Sequence, residues 1–319
     1  WKASPRLTLN YGVRWEPYFP QKVVNGAVYN FDHARFLQGV KSSVFVNAPA
    51  GFYYSGDTGF PSNTGVNKQW WHFTPRVGFA WDVQGNGRTS IRASYSYGYA
   101  FNSGIWREDT SGSNPWGGRT TITNPPGGLD GPWNGFPGGN PFPYKVDKNA
   151  KFTPYGLFLT TRYDLKTPNS YSWNLSMQKQ VGQEWLASAS YIGARTMHIW
   201  TLNPINPSVF LGLGPCTLSG GSYASCSTTA NTDQRRLLSL ERPQDGQYIG
   251  ALADFDDGGT QTYHGMLLSL ERRVARGVTF TGNYTLSHCI GTLTDINSNG
   301  PPADETYTKP NNRDFDRGN

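Results

Sequence analysis

Residues 73–99 read FTPRVGFAWDVQGNGRTSIRASYSYGY, with apolar or aromatic side chains at alternate positions on both sides of a short turn. In the second half the alternation runs from Ile91 to Tyr99, and the positions between them carry Arg92 and small or polar residues. Successive residues of a β-strand point to opposite faces, so this period predicts two strands with one apolar and one polar face. The segment 84–87 (QGNG) favours a tight hairpin, because glycine and asparagine tolerate positive φ.

The same alternation recurs along the chain and predicts about seven strands. Their predicted bounds are 6–16, 74–83, 88–101, 169–180, 184–196, 262–273 and 277–288. Tight turns near residues 85, 182 and 276 alternate strictly with long loops at 17–71, 102–167 and 198–260. In an antiparallel meander alternate connections lie at the same end, so all the long loops are predicted at one end of the sheet. Outer-membrane β-barrels have this asymmetry, with short periplasmic turns and long extracellular loops.

The composition agrees with a membrane barrel. Only 16% of the 319 residues are charged, whereas typical soluble domains contain roughly 25%. No apolar segment approaches the ~20 residues that a membrane-spanning helix needs. We therefore predict an all-β fold, an antiparallel meander that forms an incomplete section of a transmembrane outer-membrane β-barrel with long extracellular loops.

A soluble antiparallel β-sandwich is the alternative fold, because its strands also alternate between an inner and an outer face. Loops longer than ~12–15 residues without structure are uncommon in compact domains, and three are predicted here. The apolar faces also carry Tyr and Trp near the strand ends, as an aromatic girdle at a membrane surface requires. Both features favour the barrel.

The polar face of the predicted strands supplies one set of candidate site residues. In a barrel this face lines a wet lumen, where it would touch a plug or a solute. The lumen-facing candidates are Arg14, Arg76, Arg92 and Asn174.

The second loop supplies another set of candidates, because it combines Gly and Pro with large aromatics. Exposed aromatic rings stack on sugar rings or grip apolar peptide side chains. They also pack against one another to hold a loop in shape, and the sequence leaves both interpretations open. The ligand-contact candidates are Trp106, Trp116, Trp133, Phe136 and Phe142.

Three cysteines are present. Cys216 and Cys226 enclose a short Gly/Ser-rich stretch, where a local disulfide is sterically easy and fits an oxidising compartment. A zinc site is the rival interpretation, but no CxxC motif or His pair accompanies these residues. Cys289 is left without an assigned partner.

The sequence contains no complete catalytic or metal-binding motif. The five histidines are far apart, and the chain has no HExxH, GxSxG, Walker or strand-to-helix GxGxxG pattern. The stretch 254–259 (DFDDGG) suggests Ca²⁺ but lacks EF-hand spacing, so a solvated loop is favoured. His288 beside Cys289 lacks an orienting partner for a thiol nucleophile. We predict that the protein is not an enzyme and uses no cofactor.

Two further features are assigned no function. The net charge of +6 is spread over scattered Lys and Arg, whereas nucleic-acid binding needs a clustered basic surface. The hexapeptide LLSLER occurs at Leu237–Arg242 and again at Leu267–Arg272, and only the second copy lies in an alternating segment. We interpret the two copies as a chance similarity.

Several segments together resemble a known family. They are LTLNYGVRWEP (7–17), residues 73–99, TPNSYSWNLSMQKQVGQEWLASASYIGARTMHIW (167–200), STTANTDQRRLLSL (227–240), DDGGTQTYHGMLLSLERRVARGVTFTGNYTLSHCI (256–290) and NNRDFDRGN (311–319). In this order they resemble the barrel of Oar-like TonB-dependent transporters.

The resemblance implies an outer-membrane protein whose full-length barrel has about 22 strands. It also implies contact with membrane lipid, a plug domain in the lumen, energy coupling through the TonB complex, and uptake of a bulky ligand. Peptide, glycan and metal chelate are all compatible ligands. We expect residues 1–319 to be one section of such a barrel, without the plug and N-terminal domains. A passive porin and a soluble carbohydrate-binding or adhesive β-protein that uses the Trp-rich loops are the alternatives.

Overall fold

A computed structural model describes residues 1–100, 110, 112–118, 122, 125–136, 138–275, 277–292, 307–309 and 312–318. Its strands are β1 (Lys2–Ser4), β2 (Leu7–Trp15), β3 (Tyr29–Phe31), β4 (Phe52–Tyr54), β5 (Phe73–Asp82), β6 (Thr89–Tyr99), β7 (Gly156–Thr161), β8 (Asn169–Val181), β9 (Trp185–Pro204), β10 (Cys216–Leu218), β11 (Gly221–Tyr223), β12 (Ile249–Ala275) and β13 (Val278–Gly291). The helices with described bounds are α1 (His33–Gln38), α2 (Leu237–Glu241) and α3 (Pro243–Gly246), and 3₁₀ turns occupy Thr229–Asn231 and Arg313–Asp316. None of these helices is long and apolar enough to cross a membrane.

The main sheet is an antiparallel meander in the order β1-β2-β5-β6-β8-β9-β12-β13. Each pair in this order is antiparallel, which confirms the predicted fold class. Among the described residues, β1 and β13 lie at opposite edges and are not paired with each other, so the sheet is open. We call the seven long strands β2, β5, β6, β8, β9, β12 and β13 the wall.

Each face of the wall has its own chemistry, because directly paired residues of antiparallel strands share a face. One continuous row runs through Leu7, Trp81, Ile91, Met177 and Ala189. A row on the other face runs through Asn10, Gly78, Ser94, Asn174 and Ile192. The apolar face of the wall is uncovered, since Trp81, Leu175 and Met177 are 41–51% exposed, and the other sheets among the described residues have only two strands each. The β-sandwich alternative is therefore wrong.

The tight turn between β5 and β6 shows how the hairpin is fixed. Gly85 and Gly87 have φ of 75° and 73°, which L side chains rarely adopt. The Asp82 carboxylate accepts hydrogen bonds from both glycine amides, at 2.9 and 2.8 Å. The glycines and the aspartate together close the turn.

The three long connections between wall strands fold into a second body at one end of the wall. We call it the cap and define it as the described residues within 16–72, 110–168 and 205–248. Its core is aromatic and fully enclosed, and it draws on all three connections and on the start of β12. The fully buried members of that core include Phe36, Phe52, Tyr54, Phe158, Leu238 and Ile249.

The prediction that 17–71, 102–167 and 198–260 are long irregular loops is therefore wrong in part. The first contains β3, β4 and α1, the second contains β7, and the third contains α2 and α3. These elements are only three to six residues long. They are too short to produce a hydrophobic period that a sequence could reveal.

The third predicted loop is also much shorter than 198–260, because two wall strands extend past the rest of the sheet. β9 continues to Pro204 and β12 begins at Ile249, and the two extensions pair with each other. On its other edge the β12 extension pairs in parallel with β7. The extension is rich in Gly and Asp and lacks alternation, so its pairing is invisible in the sequence.

One buried side chain connects the cap to the wall extension. The Asn206 amide nitrogen donates to the backbone carbonyls of Ile249 and Gly250 at 3.1 and 2.7 Å. Its oxygen accepts from the Leu238 amide at 2.9 Å. Asn206 thus fixes the start of α2 against the start of β12.

Candidate functional site

The polar face of the wall carries the four lumen-facing candidates. In the register of the sheet, Arg76 lies opposite Ser96, Arg92 opposite Ser176 and Asn174 opposite Ser94. The Asn174 amide donates to Ser94 Oγ at 2.9 Å. Arg14 lies at the cap end of the same face and pairs with Glu16 at 2.9 Å. The period of the strands thus places all four side chains on one face.

A hollow of about 760 Å³ lies against this face and is lined by Arg76, Arg92 and Asn174 among others. Arg14 lines an adjoining hollow with Arg76. Within the described residues, neither Arg76 nor Arg92 has an ion-pair partner. The face therefore presents two free guanidinium groups among serine and asparagine side chains, which suits hydrogen bonding to an anionic or strongly polar surface.

The five aromatic candidates fall into different environments. Trp116 is half-buried and packs against Tyr29, Phe45 and Tyr54, with ring centroids 5.6–6.2 Å apart. It therefore stabilises the cap core in this structure. Trp106 lies outside the described residues.

The remaining three candidates form a separate group on the outside of the cap. Trp133 contacts Phe136 and Phe142 at centroid distances of 5.3 and 5.9 Å. Phe142 also contacts Tyr144 edge-on at 4.8 Å. Phe142 nevertheless remains 45% exposed, so this group combines mutual packing with a ring that a ligand can reach.

Cys216 and Cys226 form a disulfide with their Cα atoms 5.3 Å apart. It closes the small hairpin of β10 and β11 in the third connection of the cap. Cys289 is a free thiol on β13, where it accepts a hydrogen bond from the Gln261 amide at 3.4 Å.

The DFDDGG stretch takes part in a buried charge network that the sequence analysis did not predict. Asp256 is almost fully buried and lies 3.5 Å from an Arg162 nitrogen. It also accepts hydrogen bonds from the Tyr307 hydroxyl and the Arg313 guanidinium. The solvated-loop interpretation of residues 254–259 is therefore wrong, because they belong to β12 and Tyr307 and Arg313 contact the buried Asp256 carboxylate. Among the described residues, no group of three or more His, Cys, Asp or Glu is arranged to hold a metal ion.

Asp254 lies two residues before Asp256 on β12 and is half-buried. Burial raises its pKa to about 7, against the hydrogen bond from Thr160 and the attraction of Arg162, while Asp256 and Asp164 raise it further. Thr160 Oγ1 donates to Asp254 at 3.0 Å. Near neutral pH this carboxyl therefore changes its charge inside the junction of wall and cap.

Solved structures offer distant likenesses. The outer membrane transporter YddB from Escherichia coli shares 16% identity at a TM-score of 0.37, over 71% of this chain and 20% of that one. The FrpB iron transporter from Neisseria meningitidis shares 11% at 0.30, over 71% and 20%. The siderophore receptor PirA from Pseudomonas aeruginosa shares 10% at 0.31, over 71% and 31%. The chain thus spans a fifth to a third of the length of these proteins.

Two sequence comparisons differ in outcome. No curated protein matches the chain significantly. The whole of residues 1–319 matches the family described as outer membrane beta barrel domain. With its open antiparallel wall of two-faced strands, the chain belongs to the outer membrane beta barrel domain family and is a protein of the outer membrane.

Proposed function

We propose that the chain is a section of the barrel of an Oar-like TonB-dependent transporter, which takes up a bulky ligand across the outer membrane. The ordered series of segments from LTLNYGVRWEP to NNRDFDRGN supports this subtype. The apolar face of the wall meets membrane lipid, and the cap stands outside the cell, as the long loops of such barrels do.

The observation that carries the proposal is the pair of free arginines on the polar face. Arg76 and Arg92 line the 760 Å³ hollow together with Asn174. Cationic groups that become enclosed need counter-charges, because an unpaired buried charge is costly. A plug domain with acidic side chains would supply them in the full-length protein, whereas water and salt would do so in an open porin.

Ion conductance of the full-length protein in planar lipid bilayers tests this distinction. A plugged transporter is expected to show no steady conductance, and to conduct only after urea extracts the plug. The matched variants Arg76→Ala/Arg92→Ala and Lys22→Ala/Lys68→Ala remove the same charge from the polar face and from the cap. Only the first pair is expected to lower the urea concentration at which conductance begins.

A steady open-channel current from the untreated protein would instead identify a passive porin. Energy coupling has its own test, because uptake through a TonB-dependent transporter stops when the proton gradient is dissipated. Uptake that persists without the gradient would contradict the proposal.

A further inference from the structure

The outer part of the cap contains a hollow that the wall does not share. We call residues 138–154 the aromatic arm, and the hollow of about 430 Å³ that it encloses the arm pocket. Small-molecule sites commonly measure about 300–1,000 Å³. The arm pocket is thus large enough for a small organic ligand.

The floor of the arm pocket is held by the cap core. Ala150 and Phe152 line the hollow and are buried members of that core. The arm backbone is tied to the first connection, where the Val46 amide donates to the Lys148 carbonyl at 3.0 Å. The Asn47 side chain donates to the Asn149 carbonyl, also at 3.0 Å. The floor therefore exists before any ligand arrives.

One wall of the pocket is aromatic. Phe142 lines the hollow and is in edge-on contact with both Trp133 and Tyr144. Bracing holds the ring in place while part of its surface stays exposed. A braced ring with an open face is suited to stack on a flat apolar group.

The rim of the pocket is basic. The aromatic arm contains three lysines and one acid, Asp147. Lys145 and Lys151 line the hollow and are exposed, and within the described residues neither takes part in an ion pair. The Asp147 carboxylate also lines the hollow and accepts a hydrogen bond from the Asn149 backbone amide at 2.7 Å, so the lining carries two positive charges and one negative charge. The rim therefore offers free ammonium groups to an anion.

We infer that the arm pocket binds a small anionic ligand with a flat, aromatic body, its ring against Phe142 and its acid group between Lys145 and Lys151. The role of the arm pocket as the first binding site of a transported ligand rests on the proposed function. Binding of such a ligand to the cap rests only on the geometry of the pocket. An aryl acid fits the pocket better than a neutral glycan, because the two lysines attract a negative charge and offer a neutral sugar only hydrogen bonds.

Binding of naphthalene-2-sulfonate to the purified full-length protein in detergent tests this inference, measured by isothermal titration calorimetry. The neutral probe is 2-naphthalenemethanol, which has the same ring system without the charge. The anion is expected to bind about tenfold more tightly than the alcohol. Equal affinity of the two probes, or a preference for maltose oligosaccharides over both, would overturn the inference.

Two pairs of variants locate the site. Lys145→Ala/Lys151→Ala is expected to weaken binding of the sulfonate about tenfold and leave the alcohol unchanged. Lys22→Ala/Lys68→Ala removes the same charge from exposed lysines elsewhere in the cap and should change neither. Phe142→Ala should weaken binding of both probes. Phe210→Ala, at an exposed ring outside the arm, should leave binding of both probes unchanged.

The lysine variants change only exposed side chains, so they are expected to fold, and the heat-dependent gel mobility of the barrel checks this. Sulfonate binding that survives the loss of Lys145 and Lys151 would contradict the site. The result is separable from the transport proposal, because a porin with this cap would bind the probe and still conduct.

Discussion

The hexapeptide LLSLER allows a direct comparison of the cap with the wall, because one copy lies in each. In the cap, Leu237–Glu241 forms helix α2, and Leu238 is 0% exposed within the aromatic core. In the wall, the second copy lies within β12, and the equivalent Leu268 is 39% exposed. Identical local sequences thus take different secondary structures in different surroundings.

The difference reflects two solvents. The cap buries its apolar side chains inside itself, as proteins do in water. The wall leaves the apolar side chains of one face uncovered, and in the membrane lipid covers them. Ion pairs follow the same division: among the described residues, those of the wall strands lie at their ends or in the β9 and β12 extensions, and the cap holds the others.

The largest expected effect is on the cap. Leu238→Ala should lower the free energy of unfolding of the cap by about 2–5 kcal/mol, since truncating a buried leucine leaves a cavity. Limited proteolysis over a range of urea concentrations measures the loss. Leu240→Ala, in the same helix but partly exposed, is the matched control and should cost less than 1 kcal/mol. Equal losses for the two variants would contradict the packed core.

A smaller effect is expected when charge enters the apolar face of the wall. Leu268→Arg should destabilise the barrel in lipid vesicles by about 2–4 kcal/mol, because a charged side chain at the bilayer midplane loses its hydration. Leu213→Arg, at an exposed leucine of the third connection, should change stability by less than 0.5 kcal/mol. Reversible unfolding in guanidinium chloride compares them. Tolerance of Leu268→Arg would place this face outside the membrane.

The junction of wall and cap should respond to pH. The pKa of Asp254 is raised from 3.8 to about 7, so the folded state binds more protons than the unfolded state between these values. This contribution is fully present below pH 3.8 and is lost as the pH rises through 7, by at most about 1.4 kcal/mol per pH unit. Asp254→Asn should remove it.

Thermal unfolding at pH 5 and pH 7.5 measures this contribution as the difference between the native protein and Asp254→Asn. His72 acts in the opposite direction, because burial lowers its pKa, although interactions with Glu16 raise it in part. Since His72 is present in both proteins, its contribution cancels in the difference. Identical pH responses of the two proteins would contradict the raised pKa of Asp254.

The smallest effect is expected at the turn end of the wall. Arg272 donates to Glu184 at 3.0 and 3.2 Å and lies 5.5 Å from the centre of the Trp185 ring. Both charged groups are partly exposed, so Glu184→Gln should cost less than about 1 kcal/mol. A loss of stability above 2 kcal/mol in the same guanidinium titration would contradict a weak, partly exposed ion pair.

The same contrast explains what the sequence reveals. The wall was predictable because lipid on one side and water on the other impose a period of two, which Ile91, Arg92 and Ala93 already display. The cap was not, because its core joins residues as distant as Phe52 and Leu238 through elements too short to have a period. The polar-face arginines could be placed from the alternation alone. Lys145 and Lys151 can be assigned a role only from the structure, because both line the arm pocket.

The most direct test of the wall is a spin-label scan of β6. Single cysteines at residues 91–96, in a Cys289→Ser background and with the protein in lipid vesicles, would carry the label. We expect collisions with lipid-dissolved oxygen to peak at 91, 93 and 95, and collisions with water-soluble nickel chelate to peak at 92, 94 and 96. Equal accessibility at both sets, or the opposite alternation, would contradict a barrel wall with its apolar face in the membrane.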